Sequence, residues 1–404
     1  MTMTSAMTGT AGAASEASVK DMELTVVMPC LNEADTLAIC VEKALRAIRE
    51  HNIVGEVVIA DNGSTDGSPE IAEGLGARVV HVEAKGYGSA LMGGIAAARG
   101  RYVIMGDCDD SYDFLEIPLF VEKLREGYDL VQGCRLPSGG GTVLPGAMPV
   151  LHRWWGNPMF SFMARSWFHA PIHDIYCGLR GFTKTLYNRL DQRCTGMEFA
   201  TEMIIKSSLY HEKIAEVPIT LHPDGRTSHP PHLKTFRDGW RTLRFFLMYS
   251  PRSLFMAPGI FLILLGLAGY LLALPGVAIG GARLGAHTLL FASLAILCGF
   301  QAVQFAVFTK IFAIREGMMP PDRRLESAMN VLPLERALVV GAVGLVLGMG
   351  LLVASIQQWR AVNFGPLDYA HTMRWVIPGA TLTALGFQTI LSSFFASILE
   401  MRRK

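Results

Sequence analysis

Two aspartates stand one residue apart in the run Gly106-Asp107-Cys108-Asp109-Asp110, directly after an apolar stretch. Carboxylates are the ligands a hard divalent cation such as Mg2+ or Mn2+ takes, usually one or two of them alongside phosphates and water. Three more polar runs also follow apolar stretches: Pro29-Cys30-Leu31-Asn32-Glu33, Asp61-Asn62-Gly63-Ser64-Thr65-Asp66-Gly67-Ser68, and Gly133-Cys134-Arg135. Taken singly, each is also what a tight turn or helix cap uses, because Asp, Asn, Gly and Ser favour turns for local reasons. Arg135 and Arg153 offer the complementary chemistry. A guanidinium fork binds phosphate oxygens in a fixed geometry, although a surface ion pair uses the same residue.

The elements around these runs alternate. Short β-branched segments cover Leu24–Met28, Glu56–Ala60, Arg78–Val82, Arg101–Gly106 and Asp129–Gly133. Helical patterns lie between them, at Glu33–Glu50, Pro69–Gly74, Gly86–Arg99 and Glu116–Arg125. Apolar strands separated by helices predict an α/β domain whose mostly parallel sheet is covered on both faces. Ligands of such sheets sit beyond the carboxyl ends of the strands, where all four polar runs fall.

The order PCLNEADTL, DNGSTDGS and then a DxD resembles family 2 glycosyltransferases of the GT-A fold. The stretches GDCDDSYDF, GYDLVQGCR, GAMPVLHRWWGNP, DIYCGLRGF, TGMEFATEM and EVPITLHPDGR narrow the resemblance to the dolichyl-phosphate mannose synthase and polyprenyl-phosphate glycosyltransferase branch, over about residues 23–250. The resemblance implies metal-dependent, inverting transfer of a hexose from a nucleotide-diphosphate sugar to a polyprenyl phosphate. It implies that Asp109 holds Mg2+ or Mn2+ with Asp107 facing the nucleoside or ribose beside the metal, and it leaves open which residue completes the shell: Ser111 stands at the motif's next polar position, with Asp110 and Asp113 nearby. Asp110 and Asp113 read as helix caps ahead of Glu116. Pro29, Asn32, Glu33 and Asp61 would line the nucleotide pocket, and Arg226, on a loop rich in Pro, Gly and His, would clamp the diphosphate. Arg135, Arg153 and Asn157 would hold the acceptor phosphate, Asn157 standing near where the family has a serine.

The 404 residues carry a formal net charge of +1, which suggests neither a nucleic-acid binder nor an acidic-tail protein. Apolar runs dominate the C-terminal third, and four of them, about 257–280, 286–309, 337–357 and 375–399, have the length of membrane spans. Basic residues gather at Arg237, Arg241, Arg244 and Arg252, at Lys310, Arg315, Arg323, Arg324 and Arg336, and at Arg402, Arg403 and Lys404; only Arg283, Arg360 and Arg374 oppose them. The positive-inside rule then predicts a multi-pass protein of the cell membrane with a cytoplasmic catalytic domain.

The expected divisions are a disordered tail at 1–22, a GT-A domain at 23–235, an interfacial amphipathic segment at 236–255 and a four-helix membrane region at 256–404. The seven cysteines form no CxxC pair and read as free thiols. His222, His229 and His232 lack ligand spacing. The expected partners are the nucleotide sugar, the lipid phosphate and the membrane, with room for a homo-oligomer. A processive polysaccharide synthase would carry QxxRW, and Gln357-Gln358-Trp359-Arg360 has the wrong order. A lipid-sugar transporter would carry ionisable residues within its spans, where only His287 falls.

Overall fold

The computed structural model describes residues 22–227, 235–331 and 333–401. Most of the expected tail, His229, His232 and the basic residues Arg402, Arg403 and Lys404 lie outside the described residues. The chain forms two compact units that divide between Phe246 and Leu247.

In chain order the first unit contains β1 (Leu24–Cys30), α1 (Leu37–Glu50), β2 (Gly55–Asp61), α2 (Ser68–Gly74), β3 (Arg78–His81), α3 (Tyr87–Ala97) and β4 (Tyr102–Met105). Then follow α4 (Ile117–Arg125), β5 (Leu130–Cys134), β6 (Thr142–Val143), α5 (Asn157–Phe168), β7 (Arg180–Thr183), α6 (Lys184–Leu190), α7 (Glu198–Leu209), β8 (Ile214–Pro218) and β9 (Thr220–Leu221). Seven strands make one sheet in the order β3-β2-β1-β4-β7-β5-β8. Its pairings are parallel except that β7 runs antiparallel to both β4 and β5. A separate two-stranded sheet joins β6 to β9. The five expected strands and their helices are present within a few residues of their predicted ends.

Local patterning accounts for the layers. Leu24, Val26, Val27 and Met28 of β1 are all inaccessible, as a strand covered on both faces requires. In α1 the buried residues Leu37, Cys40, Val41, Ala44, Ala47 and Ile48 recur at helical spacing and form a single stripe. Gly94 lets α3 lie against the sheet, since a Cβ there would stand 2.6 Å from Val27 Cγ1 and 2.9 Å from the Ala60 methyl. Each fully buried Leu, Ile or Phe of this core contributes about 1.5–3 kcal/mol relative to exposure.

The expected interfacial segment begins as a helix, α8 (Thr235–Tyr249). Phe246 is inaccessible and meets the rings of Phe160, Trp167 and Phe168 at centroid distances of 5.7, 6.3 and 5.6 Å. Phe236 and Trp240 remain exposed.

The second unit contains α9 (Ala257–Ala273), the short strands β10 (Ala278–Ile279) and β11 (Ala282–Arg283), α10 (Ala286–Arg315), α11 (Arg323–Val331), α12 (Leu334–Ala361) and α13 (Tyr369–Glu400). Four helices are long and apolar enough to cross a membrane: Arg252–Ala273, in which a π-helical turn leads into α9, together with α10, α12 and α13. The first ends seven residues before the predicted limit at 280, at the β10–β11 hairpin, and the others extend past their predicted ends. Bare glycine backbones set the close approaches. A Cβ on Gly259 would come within 2.8 Å of the Gly299 carbonyl, and one on Gly386 within 2.6 Å of the Gly341 carbonyl. Between α10 and α13, Gln304 donates to the Ser392 hydroxyl at 2.7 Å.

Candidate active site

The loops leaving β1 and β2 are knitted together. Asn32 adopts a left-handed conformation with φ 59°, which Asn tolerates, and its side-chain oxygen accepts from the Thr65 amide at 2.8 Å. The amides of Asn32, Glu33 and Ala34 donate to Ser64 Oγ, Ser68 Oγ and Asp66 Oδ2 in succession. Asp61 accepts from the amides of Gly63 and Ser64 and from His81 Nδ1 at 3.0 Å. Burial alone would raise its pKa, but the bonds from Ser64, His81 and Gly63 outweigh that and hold it below the usual carboxylate range. Asp61 therefore shapes its own turn. Pro29, the penultimate residue of β1, lies opposite Ala60, and its carbonyl accepts from the Cys108 thiol.

At the end of β4, Asp107 accepts from the Tyr87 hydroxyl at 2.8 Å. Burial first, and the neighbouring charge of Asp109 second, push its pKa up to about 6. Gly178 is a glycine for a reason visible here, since a Cβ would stand 2.6 Å from Asp107 Oδ2. Asp109 directs Oδ1 at the Ser111 amide and hydroxyl, at 3.1 and 2.5 Å, and Oδ2 at Arg226 Nη2, at 3.1 Å. Arg226 Nη1 also donates to Glu33 Oε1 at 3.0 Å. One guanidinium thus links the loops after β1 and β4. Asp110 pairs with Lys43 at 2.8 Å, and Asp113 caps the short 3-10 turn Phe114–Glu116 through the Leu115 amide, as expected of a cap.

The residues fit a hard divalent ion. Among the described residues no three His, Cys, Asp or Glu side chains converge into an all-protein cage. Asp107 and Asp109 offer two carboxylates at one strand end, and one or two carboxylates with the remaining positions left to phosphate oxygens and water is how such an ion is held. Ser111, the candidate for the next position of the metal shell, gives its hydroxyl proton to Asp109 Oδ1 and so orients that carboxylate.

Arg135 is the main departure from expectation. Instead of presenting its fork to an acceptor phosphate, it closes a bidentate pair with Asp174, Nε to Oδ2 at 2.7 Å and Nη2 to Oδ1 at 2.9 Å. Asp174 is inaccessible, and Arg135 nearly so. The remaining Nη1 lies 3.4 Å from the Tyr112 hydroxyl. Glu216 in turn accepts from the His173 and Asp174 amides, fixing the turn that presents Asp174. Asn157 is also buried, its amide against Met148 Sδ at 3.4 Å. Arg153 lies in the π-helical turn His152–Gly156 with its guanidinium 5.5 Å from the Trp154 ring. Trp154 and Trp155 are 71% and 66% exposed, next to exposed Val150 and Leu151.

Three contributors were not singled out from the sequence. Tyr87 touches Asp107, and burial pushes its own pKa well above the ordinary value, so it donates as a neutral phenol. Its signal was the Gly86-Tyr87-Gly88 sequence after β3, where small residues let the 194–196 loop approach. Arg180 on β7 is fully buried on the carbonyls of Ala200 and Cys177. Asp174 opens the DIYCGLRGF stretch and Arg180 lies within it, but that stretch gives neither a role, and Asp174's partner is distant in sequence.

Two family patterns match the chain: glycosyl transferase family 2 over residues 25–191, and the glycosyltransferase family 2 C-terminal transmembrane region over residues 307–400. A Haloferax volcanii protein named low-salt glycan biosynthesis hexosyltransferase Agl6 is 37% identical over 380 residues, covering 93% of this chain and 89% of the relative. The dolichyl-phosphate hexose transferase of the same organism is 34% identical over 198 residues, 49% of this chain and 82% of its own. Among solved structures, Mycobacterium tuberculosis glucosyl-3-phosphoglycerate synthase in complex with Mn2+, uridine diphosphate and glucosyl-3-phosphoglycerate aligns with a TM-score of 0.47 at 20% identity, over 61% of this chain and 86% of that one.

Proposed function

Because this chain belongs to glycosyltransferase family 2 and carries that family's C-terminal transmembrane region, we propose that it transfers a hexose from a nucleotide-diphosphate sugar to a polyprenyl phosphate at the cytoplasmic membrane face. The observation that carries this reading is the pair Asp107 and Asp109 at the end of β4, with a guanidinium held between Asp109 and Glu33. The hexosyltransferase and dolichyl-phosphate hexose transferase relatives support the sugar and lipid classes.

An ionised phosphate oxygen of the acceptor attacks the anomeric carbon. The bond from that carbon to the diphosphate oxygen breaks, and the electron pair leaves with the nucleotide. A single in-line displacement inverts the anomeric centre. The acceptor is already anionic, so positioning and charge compensation matter more than a strong base. A divalent ion, when bound, would stabilise the charge growing on the leaving diphosphate. Asp109, aimed by Ser111, and Asp107, aimed by Tyr87, would hold it. The loops after β1 and β2 would enclose the nucleotide. Arg153 would meet the acceptor phosphate, and the exposed Trp154 and Trp155 suit the headgroup zone, where an aromatic body is buried and its polar edge stays wet.

Membranes containing the protein are expected to incorporate label from one of a panel of radiolabelled nucleotide sugars into a mild-acid-labile phospholipid. Label that appears only in polymer would overturn the reading. In the same assay Arg153→Ala should raise the acceptor requirement about ten- to a hundred-fold, the value of one charge-assisted contact, with donor affinity little changed. Lys should rescue poorly, because a point charge lacks the planar fork. Lost donor affinity with unchanged acceptor kinetics would remove Arg153 from the acceptor site.

The orientation rests on the segregation of basic residues around the spans. A cysteine placed at Asn363 should react with impermeant reagent from the non-cytoplasmic side. Labelling only from the cytoplasm would reverse the topology.

A further inference from the structure

Both carboxylate oxygens of Asp109 are committed, Oδ1 to Ser111 and Oδ2 to Arg226. Arg226 spends its fork on acidic partners throughout, meeting Glu33, Asp109 and Asp224, and its side chain is only 9% exposed. The loop that carries it is fastened at three points. The His222 amide donates to the Ser111 carbonyl at 2.9 Å, and the Gly225 amide to the Asp109 carbonyl at 3.0 Å. The Thr227 amide and hydroxyl both donate to Asp35 Oδ2 at 3.0 Å.

A dication approaching Asp109 Oδ2 meets a positive group already seated there. It must expel Arg226 or share an oxygen with a like charge, and either course is costly in a partly desolvated site. A nucleotide diphosphate changes the balance, because its oxygens give the guanidinium a new partner of the same geometry. Arg226 can then trade Asp109 for a phosphate oxygen while Glu33 and Asp224 remain its acidic partners.

We propose that Arg226 is an internal counter-cation that keeps the divalent ion off Asp109 until a nucleotide diphosphate draws it away, so that ion and nucleotide bind together. This rests on the reading of Asp109 as the metal carboxylate. It adds a second task for Arg226, acting before any substrate is present and distinct from gripping the diphosphate. The two tasks are successive positions of one side chain, and the exchange preserves the number of ion pairs: Asp109 passes from arginine to metal, and arginine passes from carboxylate to phosphate.

The test is Mn2+ binding to the full chain in detergent, followed by calorimetry and by the electron paramagnetic resonance of free Mn2+. Titrations are run with Mn2+ alone and with saturating UDP or GDP. The wild type should bind Mn2+ weakly alone and at least ten-fold more tightly with the matching nucleotide. Arg226→Gln should bind Mn2+ alone about ten-fold more tightly than the wild type and lose most of the nucleotide's effect. Arg226→Lys, which keeps the charge, should stay close to the wild type and shows that the loop tolerates substitution. If Arg226→Gln binds Mn2+ alone no better than the wild type while the nucleotide still promotes binding, the counter-cation role is wrong and the metal site stands. If neither protein binds Mn2+ under any condition, the metal reading itself falls and takes this inference with it.

Discussion

Replacing Asp109 with alanine is expected to lower hexose transfer by about 10²–10³-fold or more, the cost of removing a group that stabilises charge where it develops. The protein should stay folded. Asp109 lies on the loop after β4 and contributes nothing to the apolar core, so its loss opens no cavity there. What changes is local: the Ser111 hydroxyl and one arm of Arg226 lose their acceptor. Asp109→Asn separates charge from shape, because an amide oxygen can still accept from Ser111 while the negative charge is gone. Both variants should show the same loss in single-turnover transfer and a thermal transition close to that of the wild type. Full activity of either, or of the wild type in excess chelator, would remove the carboxylate from the mechanism.

Arg135→Ala is expected to act first on stability, by about 3–5 kcal/mol, because it strands Asp174 as an uncompensated buried charge. Asp174 would keep the Arg135 backbone amide as a donor but lose the fork that neutralises it. Removing the charge at the other end should recover much of the loss. Arg135→Met combined with Asp174→Asn should be markedly more stable than Arg135→Ala, and the full double-mutant cycle should show strong coupling between the two positions. Chemical denaturation of the detergent-solubilised protein, followed through the catalytic unit's tryptophans, measures this. A variant that unfolds at the wild-type denaturant concentration and only demands more acceptor would restore Arg135 as a phosphate-gripping residue.

The two outcomes for arginine mark the limit of what a sequence carries. β1 to β5 were legible because continuous apolar runs between helical stretches admit few arrangements, and a parallel sheet places its polar run-offs at one edge. Asp107, Asp109 and Asp61 stand out as candidates in that way, whereas Arg226 enters only through the family resemblance, which also supplies the expected roles. The four spans were legible from length and apolarity alone. Arg135 was located but its partner was not, since Asp174 meets it only after the chain has returned through α5. Nothing local distinguishes an arginine that will be buried against a carboxylate from one left to meet a phosphate. β7 escaped for a related reason. Arg180-Gly181-Phe182-Thr183 has neither the alternation nor the β-branched content of a strand, and only its neighbours β4 and β5 make it one.

The place of β7 has a consequence in time. β4, which ends at the acidic loop, and β5, which ends at Arg135, do not touch through their own hydrogen bonds; β7 joins them from well downstream. During synthesis the first four strands can zip together as they emerge, but β5 has no seat in the sheet until residue 183 is available. Pairing of such distant segments pays its loop-closure entropy before any contact rewards it, and is slow. The nascent domain therefore passes through a stage in which β4 is an open edge, a surface prone to wrong partners. The first membrane-crossing helix, beginning at Arg252, is made only after this strand. A ribosome pause between the two would favour closure of the sheet before the chain is drawn to the bilayer.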